Sequence, residues 1–271
     1  PSFAWYNGKF KPSESITIPV DSEGFLYGYG IFETIRVTSG KPCRLPQHLN
    51  RFRKSWEFCF NIPFPDITWE PAITNLIERN GLLSDIAVVK ILAAAGAPGN
   101  PESMTLLVTA KRYVHRLKAA GRDGLYLMTC PDKRHSSLAA HKTMNYMFCK
   151  VANEQARQQG ADEALIINAD GSVCESATAN ILCIINGSWY RPKSDYVLPG
   201  TMENAVCELL AIRGIKVQTR LLSVDDLKSA DQVFLTNALM GIVPVLRIDS
   251  VTMHNPGVEL SREINSVLSG C

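Results

Sequence analysis

Residues 161–181 read ADEALIINADGSVCESATANI, and the fold is decided here. Residues 164–168 are an apolar run of strand length, Ala169-Asp170-Gly171 is a turn, and residues 172–175 return as a short strand. Directly after it, residues 179–185 form a second apolar run that turns at Asn186-Gly187 into residues 188–190. The second pair leads to Leu198-Pro199-Gly200 and a helix over 201–212. Upstream lie a strand at 125–130, a loop rich in Ser, His and Lys over 133–142, and a helix over 144–159. Met144, Met147, Phe148 and Val151 share one face of that helix, and Gly160 stops it. Downstream come a strand at 216–221, a short helix at 224–229, a strand at 232–237 and a closing helix at 259–268.

The first half has its own pattern. A strand is expected at 16–20, and EGFLYGYG at 23–30 leads into the strand IFETIRV at 31–37. Glycines this close together imply tight turns or close backbone approach. No G-K-[ST] follows, and the setting is not that of a dinucleotide fingerprint. Residues 46–60 carry helical periodicity through Leu49, Phe52 and Trp56, and 69–79 is a second helix stopped near Asn80-Gly81. The runs 87–95 and 104–110 have strand length. The fold class is therefore α/β (α+β), divided as 1–115, a polar and basic linker at 116–124, and 125–271.

Composition excludes several classes of function. The 271 residues are 46% hydrophobic and 20% charged, which is ordinary globular usage. With 28 basic and 26 acidic side chains the net charge is +2, giving no reason to expect nucleic acid or an acidic membrane as partner. The eight cysteines at 43, 59, 130, 149, 174, 183, 207 and 271 show no C-x-x-C pair and no Cys/His cluster, so no metal is expected. No apolar run reaches the ~20 residues that span a bilayer. The opening PSFAWYNGKF does not read as a secretory signal, and the expected compartment is the reducing cytoplasm.

Four local features carry chemistry. Lys142, in HKTMNY, lies where a loop runs into a helix. Glu175 ends a strand after a glycine turn, and small residues that let a flat ring approach the backbone lead on to Asn180. Leu198-Pro199-Gly200 enters a helix whose first amides and dipole suit a phosphate. Thr236-Asn237 ends a strand and is followed by Ala238-Leu239-Met240-Gly241. Taken singly, these features are a surface lysine, a strand-end acid, a helix start and a strand end.

In this order and spacing they resemble the fold-type-IV pyridoxal-phosphate enzymes, the class IV aminotransferase family. The resemblance runs from NGKF at 7–10 through GYGIFETIRV at 28–37, HLNRF at 48–52, the lysine segment, residues 161–181 and LPG at 198–200, to TNALMGIVPV at 236–245. It implies a two-domain fold with the cofactor in the interdomain cleft, and a homodimer. It also implies that Lys142 holds pyridoxal 5′-phosphate as a Schiff base and then shuttles protons at the substrate carbon. A free lysine with a pKa near ~10.4 is protonated at neutral pH and needs a poorly solvated, electropositive site to do this. Glu175 would keep the pyridine nitrogen protonated, so that the ring accepts carbanion charge. Tyr146 would lie near the phenolic oxygen, or else pack. Arg51 would reach the phosphate with a two-nitrogen fork. The amides of Thr201 and Met202, with Asn237 and Ala238 opposite, would complete the cup, and Asn180 would line it. Two departures stand out. Gly200-Thr201-Met202-Glu203 replaces G-I-T-R, and Ala238 replaces a frequent hydroxyl residue.

Within the family, Asn237-Ala238-Leu239-Met240 resembles the aminodeoxychorismate lyases more than the aminotransferases. The resemblance implies a lyase of folate biosynthesis that converts 4-amino-4-deoxychorismate to 4-aminobenzoate and pyruvate. The alternative is an aminotransferase on branched-chain or D-amino acids. A cofactor carrier without turnover is a third reading, opposed by the intact Lys142 and Glu175. Arg36 is a candidate for a substrate carboxylate, or else a strand-surface arginine. Thr34 is a candidate proton donor, or else structural. Ala95 stands where family members often have arginine, so Arg36 or Lys90 would have to hold that carboxylate, or the substrate differs.

Overall fold

The computed structural model describes residues 2–100 and 103–268. Cys271 and the outermost ends of both expected domains therefore lie outside the described residues. The chain divides into two compact units: the part up to Val114 together with His141–Tyr146, and His115–Ala140 together with the chain from Met147 onward.

The first unit is an antiparallel sheet in the order β2-β1-β6-β5-β3-β4. Its strands are β1 (Phe3–Tyr6), β2 (Lys9–Pro12), β3 (Gly30–Thr38), β4 (Lys41–Pro42), β5 (Ile86–Ala94) and β6 (Thr105–Arg112). Helices α1 (Glu23–Tyr27), α2 (Leu45–Cys59) and α3 (Trp69–Arg79) accompany it. From Ile31 onward β3 alternates strictly. Ile31, Ile35 and Val37 enter a core with Phe52 and Trp56 of α2 and Ile73, Leu76 and Ile77 of α3. Phe32, Thr34 and Arg36 project from the other face. Burying a side chain such as Phe52 is worth about 1.5–3 kcal/mol.

The strand expected at 16–20 is irregular chain: Ile18 and Val20 are exposed, and Pro19 lies between them. The strands instead precede it, as a hairpin turning at Asn7 (φ 44°) and Gly8 (φ 87°). That Asn-Gly pair is the sequence signal for a type I′ turn.

The second unit is a nine-stranded sheet in the order β12-β11-β10-β13-β14-β7-β8-β9, with β15 beside β14. Its strands are β7 (Leu125–Arg134), β8 (Glu163–Asn168), β9 (Val173–Ser176), β10 (Asn180–Ile185), β11 (Ser188–Pro192), β12 (Val217–Arg220), β13 (Gln232–Asn237), β14 (Gly241–Ile248) and β15 (Val251–Thr252). Its helices are α4 (Arg116–Ala120), α5 (Met147–Gln158), α6 (Thr201–Ile212), α7 (Val224–Lys228) and α8 (Val258–Leu268). Both hairpins expected from residues 164–190 form antiparallel pairs.

Two boundaries need correction. The segment expected as linker, 116–124, contains α4 and belongs to the second unit. Arg116 anchors it by donating to Glu163 Oε2 at 2.5 Å and to the Asp162 carbonyl at 2.8 Å. Residues 144–146 are not helical, because their backbone is committed elsewhere. Phe32 N donates to the Lys142 carbonyl at 2.9 Å, and Met144 N to the Gly30 carbonyl at 2.7 Å. Ile31 and Thr143 pair as an antiparallel bridge. The lysine segment thus joins the first unit's sheet beside β3, and α5 begins only at Met147.

Candidate active site

Lys142 is half-buried on that strand-like segment. Its Nζ lies 4.7 Å from the centroid of the Phe32 ring and 6.0 Å from that of Tyr146. The two rings meet edge-on, 5.7 Å apart. Lys90 brings a second ammonium to Phe32, at 5.6 Å. The β-sheet register explains this grouping. Thr34 of β3 pairs with Lys90 of β5, and Arg36 pairs with Val88. Phe32, Thr34, Arg36 and Lys90 therefore share the face of the sheet away from the core. Ala95 is buried within the first unit's core, so its side chain cannot serve a substrate carboxylate.

Arg51 lies on the other face of β3. Its Nε donates to Glu33 Oε1 at 2.7 Å and its Nη2 to Oε2 at 2.8 Å, while His48 Nδ1 is 2.7 Å from Oε2. Glu33 is fully buried. Burial alone would raise its pKa, but Arg51 and His48 override that and hold it at about 2. Sequence reading passed over Glu33 and His48. The available signal was an acid in the buried phase of an alternating strand, which requires charged or hydrogen-bonding partners.

In the second unit, Glu175 is buried on β9. Its Oε1 accepts from Arg134 Nη2 at 2.5 Å, and its Oε2 accepts from Leu198 N at 3.2 Å. Arg134 also donates to the Tyr196 carbonyl at 2.7 Å and contacts Cys174 Sγ at 3.1 Å. Burial opposes the charge on Arg134, but the Glu175 carboxylate outweighs it and shifts the guanidinium pKa upward. Asn180 Nδ2 donates to the Leu198 carbonyl at 2.7 Å. Leu198 is thus held by its amide and its carbonyl, which fixes the entry to α6. Gly200 is required at that entry, since a Cβ there would lie 2.0 Å from Asn180 Oδ1. It provides no side-chain cap, and the amides of such a helix start, here those of Thr201 and Met202, favour an anion.

Asn180 pairs across the sheet with Thr236, a fully buried residue whose hydroxyl has no partner among the described residues. Next to it, Asn237 Nδ2 donates to the Thr178 carbonyl at 3.2 Å, and its Oδ1 accepts from the amides of Leu239 and Met240. Ala238 is held inside that turn. The second unit therefore gathers Glu175, Asn180, Thr201, Met202, Asn237 and Ala238 at linked positions. Lys142, Tyr146, Thr34 and Arg36 gather in the first unit, with Arg51 reached through Glu33. Arg134 escaped sequence reading, because it stands in no recognisable motif.

These residues suit a phosphorylated pyridine ring. A fixed, ionised carboxylate matches a ring N–H, and a glycine-led helix start matches a phosphate. Among the described residues, no cluster of His, Cys, Asp and Glu could hold a metal ion.

The sequence pattern of the amino-transferase class IV family matches residues 30–248. A putative branched-chain-amino-acid aminotransferase from Methanocaldococcus jannaschii is 30% identical over 274 residues, covering 96% of this chain and 93% of that protein. A D-alanine aminotransferase from Bacillus licheniformis is 24% identical over 271 residues, covering 97% and 94%. The T.th. branched-chain amino acid aminotransferase complexed with N-(5′-phosphopyridoxyl)-L-glutamate superposes with a TM-score of 0.88 at 28% identity, over 99% of this chain and 94% of that one. The Escherichia coli branched-chain amino acid aminotransferase shares the fold, with a TM-score of 0.86 at 23% identity over 99% and 93%.

Proposed function

Because this chain belongs to the class IV aminotransferase family, we propose that it moves the amino group of a branched-chain or D-configured amino acid onto a keto acid. Its cofactor is pyridoxal 5′-phosphate. When bound, this cofactor supplies an electron sink for the carbon that bears the substrate amine. The observation that carries the reading is the second unit's fixed carboxylate. Glu175 is held ionised by Arg134 and oriented by the Leu198 amide, so it can keep a proton on a pyridine nitrogen. Lys142 binds the cofactor by its amine and moves the proton at the substrate carbon. Its position against Phe32 and Tyr146 limits its solvation. Tyr146 orients the phenolic oxygen. The amides of Thr201 and Met202, with Asn180, Asn237, Ala238 and Arg51, receive the phosphate. Arg36 or Lys90 holds the substrate carboxylate, and Thr34 lies at the leaving side.

The proposal extends to a homodimer, since Phe25, Leu26, Tyr27 and Tyr29 on and beside α1 are exposed. It places the enzyme in a reducing cytoplasm, in keeping with described cysteines that are thiols rather than disulfides. No helix among these residues is long and apolar enough to cross a membrane.

A second reading is lyase action on 4-amino-4-deoxychorismate, releasing 4-aminobenzoate and pyruvate. The Asn237 turn favours it, because Asn237 fixes the Leu239 and Met240 amides in the stretch that resembles the lyases. Both readings are tested by giving the enzyme amino acids with 2-oxoglutarate and, separately, aminodeoxychorismate. Amine transfer that requires the keto acid supports the aminotransferase. Pyruvate release without a keto acid supports the lyase, and neither product would sink both.

A further inference from the structure

Glu203 is the third residue of α6 and is only 7% exposed. Its carboxylate makes no hydrogen bond to any described residue. A Cβ built on Gly200 would lie 3.2 Å from the Glu203 Cβ, so the root of this side chain stands beside the residue that opens the helix. The charged and titratable groups around it are Arg191 of β11, Glu175 of β9 and Cys207 on α6 itself. The strands β13 and β14 and helix α8 turn apolar side chains toward α6, among them Phe234, Ile242 and Ile264. Nothing in this environment neutralises a carboxylate by direct contact.

We propose that Glu203 is a proton-coupled determinant of phosphate binding at the start of α6: neutral, it leaves that helix end to the phosphate, and ionised, it competes with the phosphate for the same positive field. This rests on the reading that α6 receives the cofactor phosphate. Burial, with Glu175 adding to it against Arg191, brings the Glu203 pKa up to about 7. The group therefore changes charge within the physiological range. Below that value it is neutral and phosphate binds more tightly. Above it, two negative charges share one helix terminus and binding weakens. By linkage, phosphate binding in turn raises the Glu203 pKa and takes up a proton.

The test compares holoenzyme dissociation constants for pyridoxal 5′-phosphate and for pyridoxal by equilibrium dialysis, between about pH 6 and 8.5. Comparing the ratio of the two constants between wild type and E203Q isolates the effect of Glu203 on the phosphate, because the internal hemiacetal that pyridoxal forms, and its phosphate ester cannot, is the same for both proteins. The expected result is that this phosphate advantage falls with rising pH in the wild type by about tenfold more than in E203Q. Equal pH slopes in the two proteins would overturn the proposal. Equal affinity for both ligands at every pH would instead overturn the assignment of phosphate to α6. Should E203Q not fold, calorimetry on the wild type in two buffers of different ionisation enthalpy gives the same answer. More proton uptake with pyridoxal 5′-phosphate than with pyridoxal near pH 7.5 supports it, after correction for the phosphate's own ionisation, and no excess uptake refutes it.

Discussion

At the scale of single residues, the two carboxylates Glu33 and Glu175 follow the same rule: each is buried, and each is kept ionised by an arginine. For Glu33 the consequence is a pH-dependent stability. Its pKa drops from 4.5 to about 2, so its contribution is complete above 4.5 and is lost as pH falls through 2. The shift corresponds to about 3 kcal/mol. Denaturant midpoints of the wild type and E33Q should differ at neutral pH and converge as the acid limit is approached. A constant gap would show that Glu33 contributes by packing alone. For Glu175 the consequence, on the proposed function, falls on the rate through the cofactor it would hold. R134M removes the arginine and leaves the carboxylate less firmly held, with the Leu198 amide still on it, and a displacement of about 1 Å costs on the order of 10²-fold in rate. The measurement is kcat with KM in parallel, and an unchanged kcat would remove Arg134 from the positioning of Glu175. K142A should abolish the visible absorption of the bound cofactor. Persistence of the band would mean that another amine holds it.

At the scale of elements, the segment 141–146 shows local preference overridden by long-range pairing. Its last residues, 144–146, fall at the opening of the helix expected over 144–159, but the segment's backbone bonds to Gly30 and Phe32 of β3 and keeps Lys142 extended beside that strand. Gly30 permits this approach, since a Cβ there would lie 2.5 Å from Met144 Sδ and 2.6 Å from the Ala93 carbonyl. G30A should destabilise the protein by about 1–3 kcal/mol in thermal or urea unfolding. Trimming Met144 to alanine as well should not restore it, because the Ala93 carbonyl remains. Full rescue by M144A would show that the backbone yields there. The entry to α6 depends in the same way on Glu175 and Asn180, which grip Leu198 from its two sides.

At the scale of the whole molecule, local patterns predicted most strands and helices, and the second unit's hairpins match that reading closely. Residues 201–212 and 69–79 are helices with the expected ends. The division into units was less legible. The expected boundary at 115 lies beside the observed one at Val114, but the chain returns to the first unit for residues 141–146, and no composition change marks that return. The exposed apolar residues around α1 belong to this scale as well. If a second copy covers them, the double substitution F25D and Y27D should yield monomers in sedimentation velocity. Dimers of unchanged stability would place the interface elsewhere.

The sequence by itself singled out the residues proposed to carry chemistry, Lys142, Glu175 and Asn237 among them, and determined where hydrophobic periodicity changes between 2 and 3.6 residues. Both are properties of near neighbours along the chain. Only the tertiary structure decided that Glu33 binds Arg51 and His48, that Arg134 holds Glu175, and that the lysine segment is extended. Those outcomes depend on charges and backbone groups brought together across the sheets. A buried charge must find a partner in space, whatever its distance along the chain.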